Sequence, residues 1–345
     1  MGAATRCGVH VIHIVGRNAN TVAEFTVGMM VSEMRNIARS DCAMRGGVWY
    51  KGEMIMSELE HLLPMQHQLG ESPMWVPEEK ALYWIDWGAC VCRFYPDSGV
   101  QERFEVDVPI TALARRASGG WIIVAQTGLY FWDPQTNLPT LITEPEPENP
   151  HIRFNDSAVD RQGRLLVGTF NSEDLEAPDG SLYRLDPDGS KYKLDTGFAT
   201  SNGLAVSPDG KTFYLTDMRH SLIYAYDYDP ATGAVSNRCP FVQVPKEDGL
   251  PDGLITDSEG FVWGAHWGGW RVTRYDPTGK IEREIRLPVE NVTCFAFGGE
   301  ALDELYITTA WYGFTEEQRG EQPLSGDLFR IKTDVKGLVE PGFAG

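Results

Sequence analysis

Four short segments of the 345-residue chain carry polar side chains of one chemical kind. They are Leu69-Gly70-Glu71-Ser72-Pro73, Arg153-Phe154-Asn155-Asp156, Ser201-Asn202-Gly203-Leu204 and Pro251-Asp252-Gly253-Leu254. Each lies shortly before a turn, at a similar offset from it, so Glu71, Asn155, Asn202 and Asp252 hold corresponding places in four units of a repeat. Two carboxylates and two amides of this sort suit a hard cation such as Ca²⁺, Mg²⁺ or Mn²⁺. Each segment also has a plainer reading. Asn202-Gly203 and Asp252-Gly253 are ordinary turn pairs, and Glu71 on its own reads as a surface acid.

Bringing such residues together requires elements that repeat and converge. After Gln66 the chain consists of short apolar runs broken by turns, each turn followed by a strongly β-forming stretch. The turns Val76–Lys80, Ser118–Gly120, Asp160–Gly163, Ser207–Gly210, Asp257–Gly260 and Gly298–Ala301 lead into ALYWID, WIIVAQ, RLLVGT, KTFYLTD, FVWGAH and LDELYITTA. A second strand ending in Asp-Pro or Pro-Asp trails each of the first five, and DLFRIKTD takes that place in the sixth. Six units of about 45 residues each match four short antiparallel strands apiece, the blade of a β-propeller. Radial closure leaves few strand edges exposed. It also puts one polar residue from each of several blades over a central channel, where ligands bind.

Composition narrows the function. The formal net charge of −19 opposes phosphate backbones and anionic lipid, which argues against nucleic-acid and membrane partners. No apolar run approaches the ~20 residues of a membrane span. The six cysteines show no disulfide-framework spacing, so reduced thiols and a cytoplasmic location are expected. Cys90 and Cys92 share one face of a strand, where packing is the simpler account than metal binding. Residues 20–45 contain no proline, and Val22, Phe25, Met29, Met30, Met34 and Ile37 follow a helical spacing. The expectation is an N-terminal helical extension over residues 1–53, followed by a catalytic six-bladed propeller over residues 54–345.

The motifs LGESPMW, RFNDSAVDRQGRLLVGT, SNGLAVSPDGKTFYLTD, PDGLITDSEGFVWGAHWGG and FGGEALDELYITTA resemble those of the gluconolactonase/regucalcin (senescence marker protein) family, in its order and across the whole propeller. The resemblance implies an all-β, six-bladed propeller with one divalent metal ion in the central channel. Carried over by motif, it makes Glu71, Asn202 and Asp252 the metal ligands, and Arg153, Asn155 and Glu173 the residues that hold substrate. The chain has Gly-Glu-Ser-Pro where the family often has Gly-Glu-Gly-Pro, a change that leaves the ligand in place. The implied activity is metal-dependent opening of a sugar (aldono) lactone to the aldonic acid, with calcium, zinc, manganese or ferrous iron as the ion.

In that scheme Asp252 is the general base, with His266 as the alternative, and His266, Trp267 and Trp311 wall the pocket. Two other readings stay open: a metal-dependent esterase or organophosphatase on the same propeller, and a non-catalytic propeller that binds a divalent cation. The segment GRNANTVAEFTVGMMVSEMRNIARSDCAMRGGVWYKG resembles a fragment of the D-isomer 2-hydroxyacid dehydrogenases. No Gly-x-Gly-x-x-Gly follows it, so no dinucleotide site is expected.

Overall fold

The computed structural model describes residues 59–88 and 90–345. The N-terminal extension expected over residues 1–53 lies outside them. Among the described residues, 24 strands form six four-stranded antiparallel sheets.

The first blade holds β2 (Gly70–Val76), β3 (Ala81–Asp86), β4 (Cys90–Tyr95) and β5 (Val100–Glu105). The second holds β6 (Ile110–Arg115), β7 (Trp121–Ala125), β8 (Gly128–Trp132) and β9 (Thr140–Thr143). The third holds β10 (Ile152–Val159), β11 (Leu165–Asn171), β12 (Gly180–Leu185) and β13 (Lys191–Phe198). The fourth holds β14 (Ser201–Val206), β15 (Thr212–Asp217), β16 (Leu222–Asp229) and β17 (Ala234–Gln243). The fifth holds β18 (Leu250–Thr256), β19 (Val262–Trp267), β20 (Arg271–Tyr275) and β21 (Ile281–Arg286). The sixth is built from both ends of the propeller: β22 (Asn291–Gly298), β23 (Glu304–Ala310) and β24 (Leu328–Lys332) are completed by β1 (Glu60–Leu63). This clasp pairs Glu60 with Arg330, and Arg330 also donates to the Glu60 carboxylate at 2.7 Å. A short helix, α1 (Glu316–Glu321), lies between β23 and β24 and carries a capping box from Thr315 and Gln318.

The recurring turn has a local cause. Buried Asp160 accepts from the backbone N–H groups of Gln162 (2.9 Å) and Arg164 (2.8 Å), which holds the turn before β11. Asp257 repeats the arrangement with Glu259 (2.9 Å) and Phe261 (3.1 Å) before β19. Each turn closes on a glycine in the left-handed region, Gly163 at φ 81° and Gly260 at φ 84°, a conformation costly for any side chain.

Second strands such as β7 are buried at every position, whereas outer strands such as β5 alternate toward solvent. That explains why the second strands read as unbroken apolar runs. The core lies between blades, with Trp84, Trp263, Phe154 and Phe213 among the fully buried side chains. The chain's last residues join it. Phe343 is buried against blades two and three, with its N–H bonded to the Arg115 carbonyl at 2.7 Å. Cys90 and Cys92 are buried side by side, with sulfurs 3.8 Å apart. No helix among the described residues is long and apolar enough to cross a membrane.

Candidate functional site

The six innermost strands, β2, β6, β10, β14, β18 and β22, share one irregularity. Each gains one residue over its neighbour at the same level: between Glu71 and Met74, Ile110 and Ala112, Phe154 and Ser157, Asn202 and Leu204, Pro251 and Leu254, and Val292 and Cys294. A bulge leaves a residue out of the ladder and re-aims its side chain. The sequence motifs are these bulges. Asn202-Gly203 and Asp252-Gly253 therefore lie inside strands, not at turns, and their glycines are required by crowding. A Cβ on Gly203 (φ +40°) would sit 2.2 Å from the Asp252 carbonyl oxygen, and one on Gly253 would sit 2.5 Å from Cys294 Sγ.

Hydrogen bonds tie bulge to bulge around the axis. Thr111 Oγ1 donates to the Asn155 carbonyl (2.7 Å) and Asn155 Nδ2 to the Ser201 carbonyl (2.9 Å). Thr216 Oγ1 donates to the Asp252 carbonyl (3.1 Å) and Thr293 Oγ1 to the Gly70 carbonyl (2.6 Å).

Above this ring opens a cleft of about 340 Å³, within the range of small-molecule sites. Glu71, Asn155, Asp156, Asn202 and Asp252 all line it, and Trp87, Phe170, Trp267 and Tyr312 supply aromatic surface. Asp252 is only 2 % exposed, and the Asn202 amide nitrogen donates to its Oδ1. Burial raises the Asp252 pKa well above the ordinary carboxylate range; the charge of Asp156 adds to this, while Asn202 and Arg219 oppose it. Burial raises Glu71 likewise, with Asp252 and Asp156 adding repulsion and the Ser72 N–H, 2.9 Å from Oε2, opposing. Asp156 is pushed up to about 6 by burial, against the backbone N–H groups of Ser157, Leu204 and Gly203. Burial and mutual repulsion therefore push three acids of one floor toward their neutral forms, a situation that a cation relieves.

The donor set fits a hard divalent ion: carboxylates and an amide, with no sulfur or imidazole required. Among the described residues no three His, Cys, Asp or Glu side chains together form a metal-ligand group; the candidate set is Glu71, Asp252 and the Asn202 amide. In the structure the Asn202 amide N–H faces Asp252 and supplies partial positive charge to its Oδ1.

The structure does not bring every expected residue into the cleft lining. Arg153 lies on β10 with its guanidinium donating to the carbonyls of Pro150 and, at 3.2 Å, of Ile152. Glu173 is exposed just beyond β11, 3.7 Å from His151 Nδ1. His266, the alternative base, is corrected: it lies on β19 behind Pro251 and is only 2 % exposed. Its Nδ1 is 2.9 Å from the Asp248 carbonyl oxygen and its Nε2 is 3.2 Å from the Tyr275 hydroxyl. Burial, helped by the Arg271 charge, lowers its pKa to about 4. Trp267 lines the cleft as expected, but Trp311 does not. The Trp311 indole donates to the Gln66 carbonyl at 3.0 Å and packs under Arg319, and its neighbour Tyr312 takes the wall position.

Among the lining residues given no role in the sequence analysis are two charged ones, Asp156 and Arg219. Asp156 sits beside Asn155, where strict strand alternation sends one of the pair away; the bulge turns both inward. Arg219 sits between β15 and β16, in a turn with no motif.

The family pattern described as "SMP-30/Gluconolactonase/LRE-like region" matches residues 69–311. Regucalcin of Xenopus laevis is 36% identical over 295 residues, 84% of this chain and 99% of the relative. A Bacillus subtilis (strain 168) protein, provisionally described as a sugar lactone lactonase, is 38% identical over 279 residues, 80% of this chain and 95% of the relative. The crystal structure of a calcium-binding protein, regucalcin, from Agrobacterium tumefaciens strain C58 superposes with a TM-score of 0.78 at 28% identity, covering 82% of this chain and 96% of the other.

Proposed function

This chain belongs to the SMP-30/gluconolactonase/LRE-like family, and from that membership and the axial cleft we propose that it is a lactonase. It opens a sugar lactone to the hydroxy acid, using one divalent metal ion held by Glu71, Asn202 and Asp252. The observation that carries this reading is the convergence of Glu71, Asp156 and Asp252, with Asn202, on the floor of one cleft. The names of relatives support it: one is described as a lactonase and another as calcium-binding.

The bound ion would act as a Lewis acid toward the lactone carbonyl. The chain's own residues do the rest. Asp252 Oδ1 faces the Asn202 amide, so Oδ2 is the oxygen that takes the proton of the attacking water. A dry site and a raised pKa suit that role, because a base works best when its pKa approaches the working pH. Asn155 Nδ2 is committed to Ser201, which leaves its Oδ1 to accept from a substrate hydroxyl. Trp87, Phe170, Trp267 and Tyr312 offer apolar faces for the C–H side of a sugar ring. Holding the ring against these walls supplies rate through orientation. Arg153 must release the Pro150 and Ile152 carbonyls to reach a substrate.

The test is acid release from D-glucono-1,5-lactone and a panel of pentonolactones, on chelator-treated protein and after adding Ca²⁺, Mn²⁺, Zn²⁺ or Fe²⁺. Turnover that appears with metal and is lost in Asp252→Asn is the expected result. Full metal-dependent turnover in Asp252→Asn removes the assigned base. Absence of turnover with every ion and lactone sinks the lactonase reading in favour of a cation-binding role.

A further inference from the structure

Among the described residues lining the axial cleft, Arg219 is the sole basic side chain. It projects from the connection between β15 and β16, and its Nε is buried without a hydrogen-bond partner. The nearest acid, Glu176 Oε1, is 4.0 Å from that nitrogen on a side chain 68% exposed. That is too long for a hydrogen bond and too wet for a strong ion pair. Arg219 and Asp252 line the same cleft. A guanidinium with an unused N–H, in the lining of a cleft that also holds Asp252, is prepared for an anionic group that arrives with the substrate or forms from it.

Lactone hydrolysis creates such a group. The water oxygen bonds to the carbonyl carbon, its proton passes to Asp252, and the carbonyl oxygen takes up negative charge. The carbon–oxygen bond of the ring then breaks, the departing alkoxide takes the proton back from Asp252, and the acid released ionises to a carboxylate. Negative charge therefore appears on the substrate beside a floor that already holds Glu71, Asp156 and Asp252. Resting on the lactonase reading above, we propose that Arg219 is a further catalytic residue, which binds the carbonyl oxygen as it becomes an oxyanion and then the carboxylate of the product. This role explains why Arg219 stands in the lining of the cleft with Asp252, its Nε without a partner of its own.

The experiment compares the metal-loaded wild type with Arg219→Gln and Arg219→Lys. Substrate is D-glucono-1,5-lactone, and the inhibitors are gluconate and the uncharged D-gluconolactam. Arg219→Gln should lower kcat about 100- to 1,000-fold, as loss of one oxyanion donor does, and Arg219→Lys should recover part of it. Gluconate inhibition should weaken at least about tenfold in Arg219→Gln, with lactam inhibition moving far less, because only the former carries full charge. A kcat within twofold of wild type, or equal weakening of both inhibitors, overturns the proposal and makes Arg219 a general contributor to cleft shape. Should the wild type hydrolyse no lactone, the lactonase reading falls. Calorimetric titration of gluconate into the same metal-loaded proteins then decides on Arg219: tighter binding by wild type supports it, and equal or absent binding overturns it.

Discussion

Replacing Asp156 by asparagine should change stability in a way that depends on pH. Burial pushes Asp156 up to about 6 from an ordinary 3.8. At acid pH, below both values, the carboxyl is protonated folded and unfolded, and it contributes nothing. As pH rises from the lower value to the higher, the unfolded chain releases its proton while the folded chain keeps it. Folding loses stability throughout that window, by up to ~3 kcal/mol, and the loss is constant above it. Asparagine does not titrate and keeps an oxygen for the Ser157 N–H, which Asp156 Oδ1 meets at 2.7 Å. It also removes a like charge from Glu71 and Asp252, which acts in the same direction.

His266 works oppositely. Its pKa is lowered to about 4 from 6.5, so it contributes stability as pH rises through that interval. Both proteins contain it, and it cancels in their difference. The assay is thermal unfolding of chelator-treated wild type and Asp156→Asn across this pH range. The variant's Tm relative to wild type should climb with pH by about 6–12 °C for a domain of this size. A difference that stays flat with pH would refute the reasoning, whatever its absolute value.

Gly203→Ala should destabilise by at least ~2 kcal/mol, because its Cβ would lie 2.2 Å from the Asp252 carbonyl and 2.6 Å from Thr216 Oγ1; urea unfolding measures this, and a neutral change would show that the bulge can relax. Phe343→Ala, two residues before Gly345, should cost about 3–5 kcal/mol as a core truncation; a shift under ~1 kcal/mol in the same assay would mean the tail is only loosely attached. Asn202→Ala should weaken divalent-ion binding by roughly tenfold or more, read by calorimetry; unchanged affinity would remove Asn202 from the ligand set.

Much of the propeller was legible because its blades are local. A turn held by Asp160 or Asp257 and a following apolar strand lie within a dozen residues, and their repetition is visible along the chain. The bulge motifs were legible for the same reason, so Glu71, Asn155, Asn202 and Asp252 stood out together, and all four line the cleft. What escaped depends on convergence through space. The clasp of Glu60–Leu63 on β24 joins residues some 270 apart, and four residues are too few to carry a pattern of their own. Phe343 reads as tail until its place between blades is known.

His266 and Trp267 are neighbours, and only the pleat of β19 sends one behind Pro251 and the other into the cleft. Asp156 is hidden by the alternation rule that the bulge breaks. Arg219 comes from a turn whose sequence has no signature, and it shares a cleft with Asp252 only once blades four and five are side by side. The sequence by itself determined which segments repeat and which oxygen donors they carry, since both follow from short-range geometry. The tertiary structure decided which side chains share the dry floor, because closure of the ring sets their distances, burial and charge.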